Sequence, residues 1–196
     1  MDAQPSRLTV IPSGIESASD RRLAVEQWLL AALDRPGRAR ARVEWQTLGL
    51  AMMPLGVRYS AVRIPGRLVA ALAGVDDPRH LGGALVVDEF LGQVLDGGPV
   101  ICDTRHGYRY YALVPPSVPA TWAAAAEDWR TVDVDVFGRG CLLGVPPVDA
   151  VSHPETGPYT SYWAVPMPAL GVLCEPLAVA RLIAAATHQI GGEQDR

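Results

Sequence analysis

Residues 99–117 read PVICDTRHGYRYYALVPPS. The block Pro99-Val100-Ile101-Cys102-Asp103 is apolar up to its last residue. The block 108–114 is rich in tyrosine, leucine and valine, which suit a pleated, half-buried surface. Residues 104–107, with a glycine, separate the two, and that length fits a hairpin. Pro115-Pro116-Ser117 ends the second strand. The pattern repeats downstream. Residues 131–137 alternate as TVDVDVF, residues 140–145 form an apolar strand, and Gly138-Arg139-Gly140 makes the turn between them. Pro146-Pro147 breaks the chain, a loop follows, and residues 159–165 return as a strand closed by Pro166 and Pro168. Connections this short leave no room for helical crossovers, so the sheet is expected to be largely antiparallel.

Outward from this core, VPATWAAAAEDW (residues 118–129) reads as a helix. Upstream, residues 57–64 alternate with one slip of phase, placing Arg58 and Arg63 outward. Pro65-Gly66 opens a short helix, RLVAALAGV. Residues 76–83 form a loop, and ALVVDEFLGQVLDGG is a helix closed by its glycine pair. Residues 1–19 read as a flexible polar leader. Ser19-Asp20 can cap RRLAVEQWLLAALD, which Arg35-Pro36-Gly37 stops. The following RARARVEWQTLGLAMM alternates from Arg38 to Trp45 and predicts a strand near residues 43–50. At the far end Glu175-Pro176 opens a helix that Gly191-Gly192 stops, leaving residues 191–196 as a flexible tail. The expectation is one α+β domain over residues 20–190, with a single mixed, largely antiparallel sheet and flanking helices.

The chain has 196 residues, 49% hydrophobic and 19% charged, enough apolar material for one core and too much for disorder throughout. A net charge of −4 argues against coating nucleic acid through the whole surface, though not against a local basic strip. No apolar run approaches the roughly 20 residues that span a bilayer. The N-terminus lacks the basic start and apolar stretch of a secretory signal. Cytoplasmic location and no membrane partner are therefore expected. Cys102, Cys141 and Cys174 have no paired spacing, which argues for reduced, buried thiols over a zinc site. All 17 basic residues are arginine, and asparagine is absent as well, as in a GC-rich, actinobacterial genome. The absence of lysine removes lysine nucleophiles and the P-loop lysine from consideration.

Several residues are candidates for chemistry. If residues 131–137 are a strand, Asp133 and Asp135 share a face about 7 Å apart. Such a pair can hold divalent ions for phosphoryl transfer. The competing reading is an outward face carrying two solvated aspartates between Val132, Val134 and Val136. His106 sits at a hairpin tip, where histidine is often merely exposed. Arg109 faces an anionic ligand or water, and His153 reads as a surface histidine in a Ser-His-Pro loop. Arg35, Arg38, Arg40 and Arg42 cluster near Arg21 and Arg22. Extended, Arg38, Arg40 and Arg42 share one face and can meet phosphates or an acidic partner; otherwise they form a solvated loop. Tyr108, Tyr110, Tyr111, Tyr159, Tyr162 and Trp163 can stack bases or rim a core, with Trp122 and Trp129 packed on the same sheet. No GxSxG, P-loop, HExxH or GxGxxG motif is present. The C-terminal helix 177–190 has an apolar face for its own sheet or for a second copy, so monomer and homodimer both stay open.

Three segments, GPVICD, GYRYYALVPP and VDVFGRGCLLGVPPVDAVSHPETGPYTSYW, carry a resemblance covering roughly residues 97–170. They resemble the small actinobacterial proteins related to the N-terminal domain of bifunctional DNA primase/polymerases. That resemblance implies an α/β catalytic core around a sheet and metal-dependent nucleotidyl transfer with Mg or Mn. The departures are specific. Where the family has an Asp-x-Asp pair, only Asp103 stands. The family's histidine falls on Arg109, and its last acidic position falls on Asp135. The resemblance therefore implies a degenerate, non-catalytic binding module for a nucleotide, nucleic acid or protein. It would need no cofactor, and Arg109, His106, Arg38, Arg40 and Arg42 would be its anion contacts. An active nucleotidyltransferase using Asp103, Asp133 and Asp135 with Mg or Mn is the alternative. A structural or regulatory interaction domain is the third.

Overall fold

A computed structural model describes residues 17–105, 107–155 and 160–194. The hairpin at its centre forms as the sequence suggests. Strand β3 (Val100–Asp103) pairs antiparallel with β4 (Arg109–Val114), placing Asp103 opposite Arg109. β2 (Ser60–Pro65) flanks β4, and β5 (Asp135–Phe137) lies beyond β2. β7 (Ser161–Val165) flanks β3 on the other side. The order is β5-β2-β4-β3-β7, and every pairing is antiparallel.

The single sheet is corrected to two. β6 (Leu142–Val145) pairs with β1 (Ala51–Pro54) in a separate two-stranded sheet. Residues 138–140 therefore carry the chain from one sheet to the other instead of closing a hairpin, with Gly140 at φ 89.

Side-chain alternation sorts the main sheet into two faces. Val62, Ile64, Cys102, Tyr110, Ala112 and Tyr162 pack with α3 (Gly66–Ala73), α4 (Leu81–Val94) and α7 (Pro176–Gln194). Ala61, Ile101, Leu113 and Trp163 pack with α1 (Ala18–Leu30), α2 (Arg35–Leu48) and the β1–β6 pair. Trp122 and Trp129 lie against the first of these clusters, as expected, at 6.0 Å between ring centroids. Trp122, at φ −115 and ψ 23, separates α5 (Val118–Thr121) from α6 (Ala123–Trp129), and Trp129 is the last residue of α6.

The expected strand over residues 43–50 is helix α2 instead. Asp34 caps it by accepting the Gly37 N–H at 2.8 Å. Pro36 sits in the first turn, where no donor is missed. Gly37, Ala41 and Trp45, spaced by four, are its buried face, and left-handed Gly49 ends it. Arginine and alanine are good helix formers, so their alternation is compatible with either period and the cap decides. Helix α1 also begins earlier than expected, on a capping box between Ser17 and Asp20. The leader reading otherwise falls on residues 1–16, outside the described residues. α7 runs through Gly191 and Gly192 to Gln194, so the glycine pair does not stop it. Among the described residues, no helix is long and apolar enough to cross a membrane.

Candidate anion groove

The C-terminal end of β2 and the N-terminal end of β4 lie side by side, and their side chains set the site. Asp135, Arg63 and Tyr111 are successive cross-strand partners, as are Arg109 and Asp103. All share the face of Ala61 and Leu113. Ala61 and Leu113 are fully buried, whereas Arg63, Arg109 and Tyr111 are half-buried. The layer covering this face therefore stops short, leaving a charged shelf.

The structure does not bring the three candidate aspartates together. Asp133 is not in the strand: it follows a 3-10 turn at φ 64 and is exposed, with Arg67 at 2.7 Å. Asp135 opens β5 and pairs with Arg63, whose guanidinium also lies 5.6 Å from the Phe137 ring centroid. Asp103 is buried and accepts from Arg105 through the backbone N–H at 3.0 Å, Nε at 3.0 Å and Nη2 at 3.2 Å. Each carboxylate is thus held by a different arginine. Asp103 and Asp135 stand three strands apart and two residues out of line, about 16 Å. A two-metal site needs its ions about 4 Å apart between shared ligands. Among the described residues, no group of three or more His, Cys, Asp or Glu side chains is placed to hold a metal.

Arg109 differs from the other arginines of the shelf. Among the described residues, it has no carboxylate within salt-bridge distance. With Arg63 and Arg67 it lines a groove of about 290 Å³, closed by Pro65, Tyr108 and Asp133. Through Arg67, Gly107 and Tyr108 the groove continues into a cleft of about 660 Å³ along α3, which ends at Asp77 and Arg79.

No family model, no curated protein and no solved structure matches this chain.

The wall between groove and cleft is pinned from behind. Tyr108 has a left-handed backbone, φ 53, and its carbonyl accepts the Gly66 N–H at 2.7 Å. A Cβ on Gly66 would lie 2.6 Å from that carbonyl, so glycine permits the approach. The Glu155 N–H donates to His153 Nδ1 at 3.3 Å, which puts the imidazole proton on Nε2. Nε2–H then donates to Tyr108 Oη at 2.7 Å, and Tyr108 donates to the Arg79 carbonyl at 3.0 Å. His153 is 4% exposed, not the surface residue its loop suggested, and burial holds its pKa below the ordinary value. Replacing Tyr108 with Phe is expected to destabilise the fold by about 1–3 kcal/mol, because buried His153 and the part-buried Arg79 carbonyl lose their bond. Urea denaturation measures this, and a change below about 0.5 kcal/mol would show that the network does not hold the wall.

The arginine strip does not join this site. On a helix, Arg38 and Arg42 share a side while Arg40 turns away, correcting the common face expected of a strand. Arg38 donates to the Leu33 carbonyl, Arg40 meets Glu44 at 3.5 Å and Arg42 meets Glu26 at 3.2 Å. His106 and Tyr159 lie outside the described residues. Cys141 is half-exposed, unlike buried Cys102 and Cys174.

Behind the sheet, Tyr110, Cys102 and Tyr162 form a row across β4, β3 and β7. Tyr162 donates to Asp88 Oδ2 of α4 at 3.0 Å, and Asp88 Oδ1 is buried with no hydrogen-bond partner among the described residues. Burial raises the Asp88 pKa to about 7, only partly offset by the Tyr162 bond.

Proposed function

We propose that this protein is a non-catalytic binding module whose Arg63–Arg67–Arg109 groove holds an anionic group, a phosphate above all. The observation that carries this is Arg109, a half-buried guanidinium in the groove with no carboxylate partner among the described residues. Asp135 and Asp133 hold Arg63 and Arg67 beside it without filling the groove. A guanidinium offers phosphate two parallel donors and keeps its charge at every working pH. In this reading the module is a degenerate relative of the primase/polymerase fold, and arginine supplies the positive charge that a divalent ion supplies in an active member. A nucleotide is the ligand class the resemblance favours.

Calorimetric titration with inorganic pyrophosphate and with nucleoside triphosphates tests it. Arg109→Ala is expected to weaken binding about tenfold or more, the loss of one charge-assisted contact. Affinity should also fall with added salt. Equal binding by the variant would remove the groove from consideration. Mg²⁺-dependent nucleotide incorporation that disappears in Asp135→Ala would replace this reading with the enzymatic one.

A further inference from the structure

The two-stranded sheet has one closed edge and one open edge. The Leu55 N–H bonds the Cys141 carbonyl, so residues two apart from these, Met53 with Leu143 and Ala51 with Val145, are the bonded pairs. Met52, Pro54, Leu142 and Gly144 therefore turn their backbone groups away from the partner strand. On β1 that edge is blocked: Glu44 Oε2 accepts the Met52 N–H at 3.1 Å, and Pro54 has no N–H. On β6 nothing equivalent stands. Among the described residues, no bond satisfies the outward groups of Leu142 or Gly144, and the Leu142 side chain is 61% exposed.

Both residues line a cleft of about 220 Å³. Its apolar walls include Met52, Tyr111 and Phe137, and Asp103 with Arg105 forms one end. Tyr111 is also the cross-strand partner of Arg63 and lies two residues from Arg109. The open edge thus borders the charged shelf. There Arg63, Arg105 and Arg109 face Asp103 and Asp135, leaving one net positive charge.

We propose that the free edge of β6, beside the anion groove, binds an extended acidic peptide that adds to it as a strand. Its acidic requirement rests on the anion-binding reading above; the strand pairing does not. The peptide residues opposite Leu142 and Gly144 exchange backbone hydrogen bonds with them. The residue between, opposite Leu143, points to the main sheet and places an apolar side chain in the cleft. The next side chains on that face, two residues to either side, are acidic and meet the arginines. A peptide fits better than a nucleic acid because the edge offers alternating donors and acceptors at strand spacing.

The probe is a fluorescent, end-blocked peptide of sequence Ser-Glu-Thr-Leu-Thr-Glu-Ser, which pairs antiparallel to β6 and presents an acidic group on either side of its leucine. Micromolar binding is expected, with slowed amide exchange at Leu142 and Gly144 and none at Met52. Methylating the backbone nitrogens of both threonines should weaken binding about tenfold or more, since it removes the two donors that face the edge. Equal binding of the methylated peptide, or no binding of the parent at millimolar concentration, overturns the proposal. Replacing both glutamates with glutamine separates the two readings. Unchanged affinity with the edge still protected keeps the strand pairing and removes the anion requirement. An oligothymidylate that displaces the peptide without protecting Gly144 would assign the shelf to nucleic acid instead.

Discussion

As pH rises from below about 4 to above about 7, the folded protein is expected to lose about 4 kcal/mol of stability through Asp88 alone. The sign follows from the direction of the shift. The folded state holds the Asp88 proton up to about pH 7, whereas the unfolded chain releases it near 3.8. The contribution is therefore complete below the unfolded value, falls as pH rises through the folded one, and is gone above it. Asp88→Asn keeps an acceptor for Tyr162 and carries no charge. The variant should match the parent near pH 4 and exceed it by most of that amount at pH 8. His153 acts with the opposite sign: its contribution is present above about 6.5 and lost as pH falls through its lowered folded value. Urea denaturation of both proteins across this range isolates Asp88 as the difference between the curves. Parallel curves would show that the carboxyl is hydrated in the folded state.

Trp163→Ala is expected to destabilise the protein by about 3–5 kcal/mol, the range for truncating a buried aromatic. Trp163 is 2% exposed and stands on β7 in the core beneath α1 and α2. Its indole N–H donates to the Pro147 carbonyl at 3.0 Å, and its backbone N–H to the Ala150 carbonyl at 2.7 Å. Both bonds fasten the segment that leaves β6, and losing the indole bond should loosen the cleft beside that strand. Trp163→Phe keeps most of the packing and removes the indole donor. Its smaller loss, about 1–2 kcal/mol, would separate the two contributions. A chemical-denaturation difference below about 1 kcal/mol for the alanine variant would show that the core closes around the gap.

The antiparallel strands from residue 99 onward were legible because each is short, apolar on a two-residue period and bounded by Gly or Pro. Helix α2 was not, because Arg-Ala alternation satisfies a strand while Asp34, Pro36 and Gly49 mark a helix only when read together. The misplacement of Asp133 has a similar origin. VDVDV alternates perfectly, but the 3-10 turn before it and the pairing of Asp133 with Arg67 take its first half out of the sheet. The shelf was half legible. Arg109 and Arg63 could be assigned outward from their own strands, and the hairpin placed Asp103 beside Arg109. Arg67 and Arg79 carry no local signal, since a helix and a loop bring them to the groove only after the sheet forms. The roles of His153 and Asp88 depend on contacts with Tyr108 and Tyr162, far away in sequence.

The strand order has a consequence for how the chain acquires this structure. β2 is the second strand made, yet its partners are β4 and β5, and the helix packed on α3 is the last element of all. An emerging N-terminal half has helices but no partner for its main-sheet strand. Closing such distant pairings carries a loop entropy that nearby contacts do not repay, so folding should be slow for a chain of this size. It should also depend on the C-terminal helix being free of the ribosome exit tunnel. Until then the apolar surface that Val179, Leu182 and Ile183 cover is exposed, and a nascent chain stalled at that length is the form most open to chaperone capture.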